Sequence, residues 1–182
     1  DKKYITNINF LINNLFFFKF ENEEKIPMCS PISLDRSNLI KIKKHKYNYY
    51  IKDKENYKKG ILFFLINEHL ESKTIIIDEN FKFYSLDVKT IDDYYKGTVV
   101  EILFNKNDII LVDLYCISCK NTMRYNFLDR RLELDSLTHN IISNITISLI
   151  EINNWDKINN LNKKDEIIIK PQDLPINFGL NY

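Results

Sequence analysis

Six runs of β-branched and aromatic residues follow one another between Tyr47 and Ile117: YNYYIK, GILFFLI, KTIIID, FKFYSL, GTVVEILF and DIILVDLYCI. Short polar segments, NEHLES, DEN and NKND, separate several of them. Side chains of this kind pack well on a pleated surface. Links this short join antiparallel neighbours, because a parallel pair needs a crossover of about a dozen residues or more. The pattern predicts a hairpin-rich antiparallel sheet. In it, Gly97 to Phe104 pairs with Asp108 to Ile117 through the NKND turn.

On either side of these runs the apolar period becomes helical. NINFLINNLFFFKF, residues 7–20, reads as an amphipathic helix whose apolar face joins the core. After a loop holding Pro27 and Pro31, SLDRSNLIKIKKHK reads as a helix over Leu34 to Lys43, with polar residues in its first turn. Beyond the sheet, Leu128, Leu132, Leu134, Leu137 and Ile141 predict a helix from Phe127 to Ile142. NNWDKINNLNKKDE reads as a loop or helix end, and EIIIK as one more strand. The expected class is α+β, one domain over residues 1–182, an antiparallel sheet with flanking helices and no repeats.

Composition narrows the function classes. With 45% apolar residues in 182, the chain can bury a proper core. Its 26 basic and 25 acidic residues nearly cancel. A protein that tracks a long nucleic-acid backbone carries a clear basic excess, so any nucleic-acid contact here is expected to be local. Alanine is absent while Asn, Lys and Ile abound, so runs of those residues carry little weight as signals. FLINNLFFF and ILFFLI are too short to span a bilayer, and no membrane partner is expected. Cys29, Cys116 and Cys119 cannot all pair and no signal-peptide pattern is present, which points to a reducing, intracellular setting.

Several residues bear chemistry. Lys52, Lys54, Lys58 and Lys59 cluster where one strand gives way to the next, and Glu101 and Asp113 lie on two strands expected to pair. On one face of a sheet these carboxylates would share a groove. A lysine nucleophile beside metal-holding carboxylates is one way to transfer a nucleotide. A solvated hairpin with scattered charges explains the same residues. CISC has the spacing of zinc and redox motifs, yet no second Cys or His pair stands at ligand distance, and a strand end with two semi-buried thiols accounts for it equally. His45, His69 and His139 share no spacing and read as surface or helix-end residues. DRRLELD reads as a solvated helix face with Arg131 attracting Asp135. Trp155 sits in a polar segment and serves either as a stacking platform or as ordinary packing. Phe81, Phe83 and Tyr84 offer a second aromatic face.

IPMCSPISLDRSNLIKIKKHKYNYYIK resembles the entry into mRNA guanylyltransferases, where a hydrophobic-Ser-hydrophobic-Asp-Arg run and a helix lead to the strand bearing the nucleophilic lysine. KTIIIDENFKFY, TVVEILF, IILVDLYCISCKN and MRYNFLDRRLELDSL are similar, in collinear order, to later segments of that family, and PINFGLNY to a Val-Asp-Gly-Leu segment. The resemblance implies a nucleotidyltransferase-like fold of the capping-enzyme and DNA-ligase kind. It also implies what has changed. The family's Lys-x-Asp-Gly-x-Arg is not restored with either Lys52 or Lys54 at the nucleophile, Ile102 and Leu103 replace a Gly-Glu, and Phe178 replaces an Asp.

Snurportins, adaptors for the trimethylguanosine cap of small nuclear RNAs, lack the same groups. KKGILFFL is similar to their basic-apolar strand, with Lys58 and Lys59 as the basic pair. TVVEILFN and VDLYCISCKN are similar to two further snurportin strands, with Asp113 and Cys116 at matching places. This resemblance implies a non-catalytic 5′-cap-binding domain of a nuclear import adaptor, with no catalytic residue, no metal and no cofactor. The ligand residues it points to are Lys52, Lys54, Lys58, Lys59, Tyr84, Glu101, Asp113 and Trp155. Capped small nuclear RNA would be the partner, importin or exportin would bind through segments outside this chain, and the protein would shuttle between cytoplasm and nucleus. The alternative is an mRNA guanylyltransferase using a lysine–GMP intermediate with magnesium or manganese.

Overall fold

Among the six extended runs, all but one join the same sheet. The structure, a computed structural model, describes residues 2–16, 47–53, 56–67, 69–154 and 165–171. Its strands are β1 (Tyr47–Asp53), β2 (Lys58–Ile66), β3 (Ser72–Asp78), β4 (Phe83–Leu86), β5 (Val88–Lys89), β6 (Thr98–Phe104), β7 (Asp108–Ile117), β8 (Lys120–Asn121), β9 (Ile142–Ser143), β10 (Thr146–Leu149), β11 (Asn153–Asn154) and β12 (Asp165–Pro171). Among the described residues the helices are α1 (Lys2–Phe16), α2 (Asp92–Tyr95) and α3 (Phe127–His139). The protein is α+β with a mostly antiparallel sheet. The expected helix over Leu34 to Lys43 lies outside the described residues.

The main sheet has seven strands in the order β10-β7-β6-β2-β3-β4, with β8 folded back on β7. β6 has a neighbour on each edge and is buried at every position, so TVVEILF needs no polar alternation. The expected β6–β7 hairpin is present. Asn105 Oδ1 accepts from the backbone N–H groups of Asn107 and Asp108, the side-chain-mimicked turn that suits this residue.

Each face of the sheet carries its own core. On one, Ile61, Phe63, Ile77, Val99 and Tyr115 pack against Tyr4, Ile8, Leu11 and Ile12 of α1, whose spacing makes a single helical stripe. The helix begins five residues earlier than residues 7–20 would have it. On the other face, Leu62, Phe64, Ile76, Val100 and Leu114 pack against Leu134 and Leu137 of α3 and against Tyr94 and Tyr95 of α2. A third cluster joins Leu103 and Val112 to Tyr50 of β1 and to Ile150.

Three expectations need correction. First, β1 and β2 do not pair. β1 lies in a separate three-stranded sheet, β11-β1-β12, so the lysine-rich link between them crosses from one sheet to another. Second, the last helix ends at His139 and not at Ile142. The Asn140 N–H donates to the Leu137 carbonyl and the Ile141 N–H to the Thr138 carbonyl, which closes the helix, and Ile142–Ser143 goes on to pair with β5. Third, β10 joins the main sheet parallel to β7, Thr146 opposite Asp108. ITISLI alternates Thr146 and Ser148 with Ile147 and Leu149, a period-two signal that a helical reading of the neighbouring residues obscured.

Candidate functional site

The register of β6 and β7 sets Glu101 directly opposite Asp113. Register shifts flank that pair, between Val99 and Val100 and between Glu101 and Ile102, and each leaves an extra residue in β7. Bulges re-aim side chains. Here they let Tyr115 and its neighbour Cys116 join the same core cluster, and Tyr115 donates its hydroxyl to Glu101 Oε2 at 2.9 Å. Both carboxylates are buried, each at 1% exposure.

Burying two carboxylates so close together requires cations. Three come from three different elements. Lys59 of β2 reaches Glu101 Oε1 at 3.2 Å. Lys170 of β12 bridges both acids, at 3.1 Å from Glu101 and 3.2 Å from Asp113. Arg130 of α3 grips Asp113 with two nitrogens, Nε at 2.8 Å and Nη2 at 3.1 Å, while its Nη1 donates to the Tyr125 carbonyl. The Leu114 N–H also donates to Asp113 Oδ1. Burial pushes the Glu101 carboxyl strongly upward, but Lys170, Lys59 and the Tyr115 hydroxyl outweigh it and hold the pKa at about 2. Glu101 is therefore ionised at neutral pH.

This arrangement is well made for holding two sheets and a helix together. Glu101 and Asp113 do face one another, as the sequence implies, but in the protein interior beneath ammonium and guanidinium groups instead of in an open groove. A metal ion would have to displace those cations. Among the described residues, no group of three or more His, Cys, Asp or Glu side chains is placed to hold one.

The basic pair is split. Successive residues of a strand face opposite sides, so Lys59 turns inward to Glu101 while Lys58, exposed, sits 6.0 Å from the centre of the Tyr84 ring on the other face. Lys82 lies 5.4 Å from that ring. Tyr84 donates to Asp78 Oδ2 at 2.9 Å and meets the edge of Phe104 at 5.4 Å. Asp78 also accepts from the Asn80 and Lys82 N–H groups, and these bonds, working against its burial, keep its carboxyl below the usual range. Tyr84 therefore does not share a site with Glu101 and Asp113. Lys52 lies on β1 opposite Glu166 in the β1–β12 ladder. Lys54 and Trp155 lie outside the described residues.

The two thiols of CISC differ. Cys116 is buried and Cys119 exposed, in contrast to the expected semi-buried pair. Burial, with the neighbouring Cys119 second, pushes the Cys116 thiol up to about 12. Ser118 and Cys119 form the hairpin tip with φ of 48° and 64°, pinned by Ser118 Oγ to Asp93 at 2.7 Å and by the Cys119 N–H to the Gly97 carbonyl at 2.8 Å. His69 and His139 are exposed in separate elements, and Cys29 and His45 lie outside the described residues.

Arg130 is the residue that DRRLELD hid. It is 2% exposed and not part of a solvated face. Its signal was present: Phe127, Arg130, Leu134 and Leu137 are all buried and spaced as one helical stripe, with a cation standing where an apolar residue belongs. Lys170 gave no such sign, since a lysine ending EIIIK looks like any strand exit. No protein-family model matches this chain, and no curated protein matches it.

Proposed function

We propose that this chain is a non-catalytic RNA 5′-cap-binding domain of the snurportin kind, built on a nucleotidyltransferase-like sheet. One observation carries the non-catalytic half: Glu101 and Asp113 are buried and ion-paired to Lys59, Lys170 and Arg130. Carboxylates so engaged are already neutralised by protein cations that a metal would have to displace, and a nucleotidyl transfer through a lysine would need a metal to neutralise the leaving pyrophosphate. The strand segments similar to snurportins carry the cap-binding half.

A methylated guanine bears a delocalised positive charge, so it gains stacking and cation–π attraction on an aromatic face, while its triphosphate bridge requires ammoniums. With Lys59 committed to Glu101, the phosphate contacts fall to Lys52, Lys54 and the exposed Lys58. Lys58 and Lys82 already attend the Tyr84 ring, and a third cation there would meet repulsion. The stacking role therefore goes to Trp155, the sole tryptophan. A net charge of +1 suits one compact terminal group better than a long backbone. Capped small nuclear RNA is the partner under this reading, in a protein that shuttles between cytoplasm and nucleus.

Titration of Trp155 fluorescence with trimethylguanosine cap, monomethyl cap and GTP tests this. The expected order is tightest for trimethylguanosine cap, with Lys58→Ala weakening all phosphate-bearing ligands. Equal and negligible affinity for the three would overturn the proposal. Intact mass after incubation with GTP and magnesium or manganese is expected to show no adduct, and a covalent GMP would establish guanylyltransferase chemistry instead.

A further inference from the structure

The turn between β7 and β8 is made of residues that do not suit its shape. Ile117 pairs with Lys120, so Ser118 and Cys119 are its two central residues, and both hold positive φ, 48° and 64°. Asn-Gly and Gly-Gly make such a turn with least strain, and a bulkier side chain persists in the left-handed region only where its surroundings require it. Here they require a sulfur at a set position. Cys119 Sγ donates to the Lys96 carbonyl at 2.7 Å, and Cys116 Sγ to the next carbonyl, Gly97, at 3.4 Å. The Cys119 N–H donates to that same Gly97 oxygen at 2.8 Å. The two sulfurs are close enough for the charge of one to oppose ionisation of the other. Gly97, at φ 138°, makes room for them: a Cβ there would stand 2.9 Å from Cys119 Sγ.

We propose that Cys116 and Cys119 are a redox pair that closes into a disulfide across this turn, with a low-molecular-weight disulfide as the oxidant. Cys119 is exposed and Cys116 buried, which sets the order of events. Cys119 Sγ loses its proton and attacks one sulfur of the oxidant, whose S–S bond breaks and whose other half leaves as a thiol. Cys116 Sγ then loses its proton and attacks Cys119 Sγ, releasing the remaining half as a second thiol. Two S–H bonds become one S–S bond, and two electrons pass to the oxidant. Burial raises both thiols, that of Cys116 to about 12, so the first attack falls to the sulfur that solvent reaches. Closure withdraws both S–H donors from the Lys96 and Gly97 carbonyls and loosens the clasp between this turn and the junction of α2 with β6. Zinc fits the pair less well, since it takes four ligands and, among the described residues, no third His, Cys, Asp or Glu joins the two sulfurs. Neither cysteine is among the residues assigned to cap binding, so the inference does not rest on that reading.

The test equilibrates the reduced full chain with buffers of graded ratio between glutathione and its disulfide, quenches with acid, alkylates with N-ethylmaleimide and digests with trypsin. Both thiols fall on one peptide, residues 107–120, and Cys29 on another. As the oxidised share rises, the 107–120 peptide is expected to lose two hydrogens and both alkylation sites together, with the Lys96 and Gly97 amide resonances shifting in the same titration. Cys116→Ser should halt at a glutathione mixed disulfide on Cys119, and Cys119→Ser should leave Cys116 unmodified in the folded chain. Two thiols serving only as hydrogen-bond donors would show no coupled loss. A wild-type chain that accumulates the mixed disulfide on Cys119 without losing two hydrogens overturns the proposal. So does a bond from either cysteine to Cys29, or closure seen only after unfolding in urea.

Discussion

Replacing Arg130 with Met keeps the length and apolar stem of the side chain and removes its charge. Asp113 would lose the contacts at 2.8 and 3.1 Å, retaining Lys170 at 3.2 Å and the Leu114 N–H, and the Tyr125 carbonyl would lose its donor. Removing one partner of a buried ion pair costs about 3–5 kcal/mol, and the side chain here is 3% exposed, so water does little to compensate. A domain of this size shifts by roughly 2–4 °C per kcal/mol, which places the expected fall in Tm on the order of 10 °C. Urea denaturation gives the free energy directly. The double variant Arg130→Met with Asp113→Leu should recover much of the loss, because the cost of the single change is mainly an orphaned buried carboxylate. A loss below about 1 kcal/mol for Arg130→Met, or strict additivity in the double variant, would show that the pair is not coupled as drawn.

Three further outcomes are expected. Glu101 has a folded pKa of about 2 against an ordinary 4.5, so its contribution is complete above the ordinary value and is lost as pH falls toward 2. Unfolding free energies from urea denaturation across that window should decline by an amount on the order of 3 kcal/mol, and Glu101→Gln should flatten the slope. Gly60→Ala would drive a Cβ to 2.9 Å from Phe104 Cε1 and 3.1 Å from the Ile77 carbonyl, and calorimetry should register about 1–3 kcal/mol of overpacking. Iodoacetamide at pH 8 should label Cys119 and spare Cys116 until denaturant is added, as peptide mass mapping would reveal, because the Cys116 thiol is buried and titrates only at about 12.

The sequence makes the sheet far more legible than the site. Strand runs such as TVVEILF and DIILVDLYCI announce themselves because burial on both faces leaves little but apolar residues, and the charges at their centres, Glu101 and Asp113, stand out for the same reason. What surrounds those charges does not stand out. Lys170 comes from a strand 57 residues beyond Asp113, and nothing local in EIIIK marks its ammonium as buried. The link from Lys52 to Lys59 reads as a hairpin because its length permits one. Its strands separate because β1 finds its partner in β12, a choice made by distant residues. Lys58 and Lys59 illustrate the smallest scale of the problem: adjacent in sequence, they are sent to opposite faces by a strand period of two.

The order of the main sheet bears on how the chain reaches it. β2, β3 and β4 run as one local meander, β6 and β7 as another, and the two meet along a single seam where Lys58 to Phe64 lie opposite Phe104 to Thr98. Each meander closes over a short link, whereas the seam joins residues about forty positions apart and must wait for that larger loop to close. Once the seam forms, it brings Lys59 to Glu101 and commits the cation to the interior. The stretch from Asp87 to Gly97 closes that loop as a structured connection, with Val88–Lys89 paired to β9 and Val88, Tyr94 and Tyr95 buried in the core. Destabilising changes along the seam should therefore slow folding, and those at the β4 edge should mainly hasten unfolding.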